Sequence, residues 1–455
     1  MKKNTKKPKE KPKEIRSPKE ESSLKEFEFL VHAENLIEHI EAIEEINLNV
    51  IPKYRQELKE REKEYDKLLS KYRDDLKKHK KMMEGIVNKN DKIDLKKIIP
   101  SLGRIGEGIK TQRGLVVREN AYTMMNQNLL IMMVSKFEIF ITNILKAFFS
   151  CRPKSIQGMN RSESLENVEK LKTSKKNVES EIEKEIERIL RDSHLSQIKY
   201  IEDKMNVKII EHLNMLPEFV ELTARRNLFV HNGGVVNSRY IDICRENKVL
   251  KKGTIKSGLQ LEINTDYIEK ASISSIEISF KIGHLIFRKM CEKDNEKIKV
   301  GNHFLRRLVN KFLEDKRWDL VIKVCDFVLT TQILSQCTEI EQKGFVFCKC
   351  IALRSMGKMS DCFKLLDSTN NTASNLNFIF IKLILLDKFE EAGTYMASNM
   401  KRSDSGYEEP EFFTLPLFND FRETIHFKNV FREIYRKEFD EIGAQIMEAS
   451  EIRYW

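Results

Sequence analysis

Residues 117–149 read VRENAYTMMNQNLLIMMVSKFEIFITNILKAFF. Val117, Ala121, Met124, Leu130, Val134, Phe137, Ile141, Ile144 and Phe148 follow one another mostly at steps of three or four. Such steps gather side chains on one face of an α-helix, whereas a half-buried strand would alternate apolar and polar residues. The methionines and phenylalanines of this stripe read as core. The same character extends over the chain: 17 Gly and 9 Pro among 455 residues are too few for a turn-rich all-β protein. The predicted fold class is all-α, with room for about two to four domains.

Downstream, residues 161–200 are highly charged with sparse apolar marks at Val178, Ile182 and Ile186. They read as helix that projects into solvent or covers a partner. A further helix is expected from Pro217, a suitable first-turn residue, through Phe219, Val220, Ala224 and Leu228 to His231. Asn232, Gly233 and Gly234 stop it, because glycine takes the left-handed conformation that closes helices. Asp266 is expected to cap the next helix, which runs to about Met290. Residues 117–295 therefore read as one bundle of about four or five helices.

Upstream, residues 24–85 carry coiled-coil character. Phe29, Leu36, Ile43 and Val50 recur every seven residues, Pro52 interrupts, and Leu58, Tyr65 and Tyr72 resume the spacing. Two helices, or one kinked at the proline, fit this pattern. Residues 86–116 hold four glycines within 103–114 and read as a linker. GRIGEG at 103–108 lacks the lysine ending of a phosphate loop. Residues 1–23 are charged, proline-containing and almost without apolar side chains, and read as a disordered tail.

The last third, 296–455, repeats a local pattern. Trp318 and Val321, Met359 and Cys362, and Phe389 and Ala392 each place a large apolar residue three positions before a smaller one, after a turn-like stretch. This resembles degenerate tetratricopeptide-type helical-hairpin repeats, whose concave surfaces grip protein partners.

The formal net charge is +11, but the first twenty residues hold nine basic and three acidic side chains. The body is thus only mildly basic, so a generalised nucleic-acid coat is not implied and a local basic site stays open. A tail of this composition suits recruitment to RNA or another anion. The 8 cysteines form no paired ligand set, and they read as reduced thiols of a cytoplasmic protein. The N-terminus lacks the apolar stretch of a secretory signal, and the best uncharged apolar run, Leu129 to Val134, is too short to span a bilayer.

Chemistry concentrates in 221–234, ELTARRNLFVHNGG. It sets a fixed cation, an amide and a titratable imidazole at one helix end, where the partial negative charge of the terminus favours a cation. RNA cleavage needs such groups: a base for the 2′-hydroxyl proton, a cation for the phosphate oxygens, and an acid for the leaving 5′-oxygen. Arg226 and His231 are five residues apart, roughly 140° around an ideal helix, so they do not both point squarely into one pocket from a straight helix. A frayed last turn or a second copy of the motif would reconcile them. Arg226-Asn227-Leu-Phe-Val-His231 resembles the R-x(4–6)-H motif of HEPN-domain ribonucleases, with a polar residue after the arginine. The helical order of 117–295 agrees with that family.

The resemblance implies a helical bundle that dimerises so that two motifs share one cleft, and that cuts RNA without metal or other cofactor. Many such proteins act as toxins or in antiviral defence. On that analogy His231 is the acid–base residue, Arg226 the phosphate clamp, and Asn227 positions one of them or the RNA. Arg225 competes for the clamp or contacts substrate, and Asn232 and Asn237 beside the glycine stop are substrate contacts or turn formers. The other eight histidines show no partner motif. The alternative is a non-catalytic helical scaffold that binds partners through its coiled coil and repeats. DNA binding through the tail is a third reading, without a DNA-reading motif to support it.

Overall fold

The computed structural model describes residues 25–89, 95–152, 155, 175–249, 255–368, 376–399 and 416–439. The basic tail and the first part of the charged stretch at 161–200 lie outside them. Among the described residues the fold is all-α, and the β-type pairing amounts to one antiparallel bridge between Val235 and Gln260. The chain divides between Ile286 and Phe287 into two compact units, rather than near residue 295 as the helix pattern suggested.

In the first unit, α1 (Glu28–Glu45), a π-helical turn (Ile46–Val50) and α2 (Ile51–Lys89) follow without a break. The π-turn explains the irregular heptad. It inserts one residue, so the buried series Phe29, Leu36, Ile43 passes over Val50, which is 46% exposed, to Ile51, Leu58 and Tyr72, all buried. The wider turn also removes the demand on Pro52 for a helical N–H. α1 is not a separate coiled coil, because its Phe29, Ala33, Leu36, Ile37 and Ile40 are buried in the unit's core.

The expected linker at 86–116 is helix instead: α2 reaches Lys89 and α3 runs from Leu95 to Cys151. α2 and α3 form an antiparallel hairpin. Arg55 pairs with Glu119 at 2.7 Å, and the Tyr72 ring occupies the space that a Cβ at Gly108 would need. Packing across the hairpin here overrides the poor helix propensity of glycine. Within α3, the segment Leu102–Cys151 is long and apolar enough to cross a membrane by length and composition, which the short uncharged run did not indicate, yet half of its apolar window is buried in the fold.

α4 (Lys175–Leu190) and α5 (His194–Met205) do not project into solvent: Ile186, Ile189, Ile198 and Ile201 are buried. α6 (Leu216–Asn232) and α7 (Ser238–Glu246) follow, then α8 (Thr265–Met290). Asn264, not Asp266, caps α8, its Oδ1 accepting the Tyr267 N–H at 2.9 Å, and Asp266 sits in the first turn. α1 crosses α8 where Gly283 leaves room, since a Cβ there would lie 2.7 Å from that of Ala33.

The second unit is built of helix pairs: α9 (Asn295–Glu314) with α10 (Trp318–Val328), α11 (Glu339–Ser355) with α12 (Met359–Ser368), and α13 (Leu376–Leu385) with α14 (Phe389–Asn399). The three turns close identically. Lys316, Gly357 and Asp387 take φ of 56°, 73° and 58°. Behind them the N–H groups of Arg317, Lys358 and Lys388 reach back to the carbonyls of Phe312, Leu353 and Leu383 at 2.8, 2.8 and 3.0 Å. Val321, Cys362 and Ala392, the smaller members of the repeated pairs, are fully buried.

Candidate active-site cleft

α6 forms where the motif was expected. Pro217 stands in its first turn, the helix is buried all round from Phe219 to Ala224, and Leu228 and Phe229 are buried near its end. Gly233 ends it at φ 59°, and Gly234 at φ 85° lets the Phe229 ring approach to within 2.5 Å of where a Cβ would lie. The chain is then pinned. Val236 donates to Leu259 at 2.9 Å, Leu261 donates to Gly234 at 3.0 Å, and the Asn237 side chain caps α7 through the Tyr240 N–H at 2.9 Å.

A cleft of about 640 Å³ opens at this helix end. Arg226, Asn227, His231 and Asn232 all line it, so the structure brings four of the expected site residues to one surface. Asn227, His231 and Asn232 are exposed. Asn232 closes the turn by donating from Nδ2 to the Val235 carbonyl, and Asn237 serves as a cap.

Arg225 is not brought to the cleft. One residue of helix turns it toward α8, where it pairs with Glu221 at 2.6 Å and stacks 4.1 Å from the centre of the Tyr267 ring. Glu221 also accepts from the hydroxyls of Tyr240 and Tyr267, the latter at 2.8 Å.

Several residues of the cleft were not read from the sequence, Glu138 and His194 foremost. Glu138 of α3 is ion-paired with Arg226 through Nη2. His194, the first residue of α5, places Nε2 3.2 Å from the same Glu138 oxygen, off the line of a hydrogen bond. Its ring lies 6.0 Å from Phe137 and 6.3 Å from Phe219, which leaves it nearly buried. The imidazole of His194 and the guanidinium of Arg226 hold the Glu138 carboxyl below the usual carboxylate range, against the opposing effect of its partial burial. The sequence signal for Glu138 is a lone acid in the apolar run FEIFIT at 137–142. Nothing in the spacing places His194 beside it.

The Nε of Arg226 is buried with no hydrogen-bond partner among the described residues, so what the cleft can touch of this guanidinium is its Nη side. The walls add Arg191 and Asp192 from the turn after α4, and Arg239 and Glu246 from α7. The cleft thus presents guanidinium groups, two imidazoles and amides, a set able to hold a phosphate and move protons. Comparison with protein-family models, curated proteins and solved structures returns no match.

Proposed function

We propose that this chain is a metal-independent RNA endonuclease of HEPN type, working as a cytoplasmic homodimer paired through the first unit. The observation that supports it is the common cleft lined by Arg226, Asn227 and His231. In this scheme an imidazole takes the proton of the ribose 2′-hydroxyl, and O2′ attacks phosphorus. Arg226 steadies the charge on the phosphate oxygens while Glu138 fixes its guanidinium. The bond from phosphorus to O5′ breaks, and the leaving oxygen receives a proton. The products are a 2′,3′-cyclic phosphate and a 5′-hydroxyl. His231, exposed at the rim, is the acid–base group, and Asn227 orients the backbone.

The test is incubation of the full chain with transfer RNA or total RNA in the presence of a chelator. Wild-type protein is expected to cut, and His231→Ala to lose about 100-fold or more of the rate. Equal cutting by the variant removes His231 from the chemistry.

A scaffold reading has its own support. The Glu138 carboxylate already answers the charge of Arg226, as in a structural ion pair. The hairpins of the second unit would then be the working surface. On that reading His231→Ala leaves the protein's effect intact, while disrupting the packing around Trp318 or Phe389 abolishes it.

A further inference from the structure

Basic side chains near the cleft are mostly answered locally. On α4, Arg188 is held by Glu185 at 2.6 Å and Lys184 by Glu181 at 2.8 Å. On α7, Arg245 is held by Asp242 at 3.0 Å. Arg191 and Arg239, on the same two stretches of chain, are the exceptions. Both are exposed and line the cleft, and neither guanidinium has an ion pair or hydrogen bond to a described residue.

Their mounts are nonetheless rigid. The turn that carries Arg191 is tied by Gln197, whose Nε2 donates to the carbonyls of Leu190 at 3.3 Å and Asp192 at 2.9 Å. Arg239 stands in the first turn of a helix capped by Asn237, next to Tyr240, whose ring is buried and whose hydroxyl is bound by Glu221. Arginines on fixed backbone, left without an acid while Lys184, Arg188 and Arg245 each have one, are placed for an external anion. Asp192 and Glu246 also line the cleft, so the attraction is local rather than a broad positive field.

We infer that Arg191 and Arg239 each hold a backbone phosphate of a single-stranded RNA that lies in the cleft with its scissile bond at Arg226 and His231. This rests on the nuclease reading of the same cleft. Attack by O2′ requires that O2′, phosphorus and O5′ come into line, which a regular duplex does not permit, so the strand must be single and free to bend at the scissile bond. The anchors grip phosphate and not base, so they add affinity without sequence preference.

The experiment uses the full chain carrying His231→Ala, so that RNA survives, and measures binding of a fluorescein-labelled single-stranded RNA by anisotropy at several salt concentrations. Adding Arg191→Gln or Arg239→Gln is expected to weaken binding about 5-fold each and to flatten the salt dependence by about 0.7 per arginine. A single-stranded DNA probe should lose the same factor, because the contact is to phosphate. Arg245→Gln, outside the cleft, is the control and should change nothing. Binding by the Arg191→Gln/Arg239→Gln protein within about 2-fold of its parent, an equal loss in the control, or no binding by the parent would each overturn the inference. Cleavage by the wild-type chain is scored separately. Cutting with unchanged binding in the arginine variants sinks the anchors and leaves the nuclease. Arginine-dependent binding without any cutting keeps the anchors and sinks the nuclease.

Discussion

Arg225 and Arg226 are neighbours in sequence with opposite fates in the fold. Either satisfies the motif's spacing, and the sequence favours Arg226 only through the polar Asn227 that follows. The helix separates them by about 100°, which sends Arg226 to Glu138 and the cleft and Arg225 into a nest made by Glu221, Tyr240 and Tyr267. Burial and the Glu221 carboxylate raise the Tyr267 phenol well above its ordinary value, so it remains a hydrogen-bond donor throughout the physiological range. Arg225→Ala would leave Glu221 largely buried with two phenols and no cation. The expected loss of stability is about 3 kcal/mol, read by urea unfolding, with cleavage per folded molecule retained. Full stability together with lost cleavage would transfer the clamp role to Arg225. Glu138 shows the other limit of sequence reading. Its partners Arg226 and His194 lie 88 and 56 positions away, and no local spacing carries that information.

At the scale of elements, periodicity was legible in α3 from Leu130 to Phe148, and so were the glycine stop of α6 and the hairpin turns of the second unit. Val117 and Met124, expected in the same stripe, are exposed, and the buried Ile186 and Ile189 of α4 lie in a stretch whose charge suggested solvent. The region 86–116 was misread because its glycines suggest a linker in isolation, while Tyr72 and Arg55 on the antiparallel partner supply what the local sequence lacks. The interruption between Val50 and Leu58 was visible and fell to Pro52, because a π-turn and a proline kink leave the same trace in sequence. The three shared turns invite a direct test. Lys316 occupies the left-handed position that Gly357 fills in the second pair, and a side chain there is strained by roughly 1–2 kcal/mol. Lys316→Gly is expected to stabilise the second unit by about 0.5–1 kcal/mol, part of the relief being offset by the greater freedom of glycine in the unfolded chain. Gly357→Ala should destabilise it by about 1 kcal/mol. Thermal unfolding that moved both variants in the same direction would refute a common turn geometry.

For the whole molecule, the division between the units falls inside a continuous helix, since α8 runs from Thr265 to Met290 and the boundary lies between Ile286 and Phe287. Sequence reading placed it near 295, at the end of the apolar pattern, because periodicity registers where a helix stops and not which core each turn serves. On the second unit's side, the Phe287 ring lies 2.6 Å from where a Cβ of Gly301 would stand, and Arg288 donates to Asn302 and Gln336 at 2.6 Å each. Ile286 and Phe287 are both fully buried, so truncating either to alanine should remove on the order of 3 kcal/mol. The two losses should fall in different places. Calorimetry of the full chain is expected to resolve two transitions, with Ile286→Ala lowering one and Phe287→Ala the other. If both substitutions lowered the same transition, the helix would belong energetically to the first unit alone, and the boundary near 295 would stand.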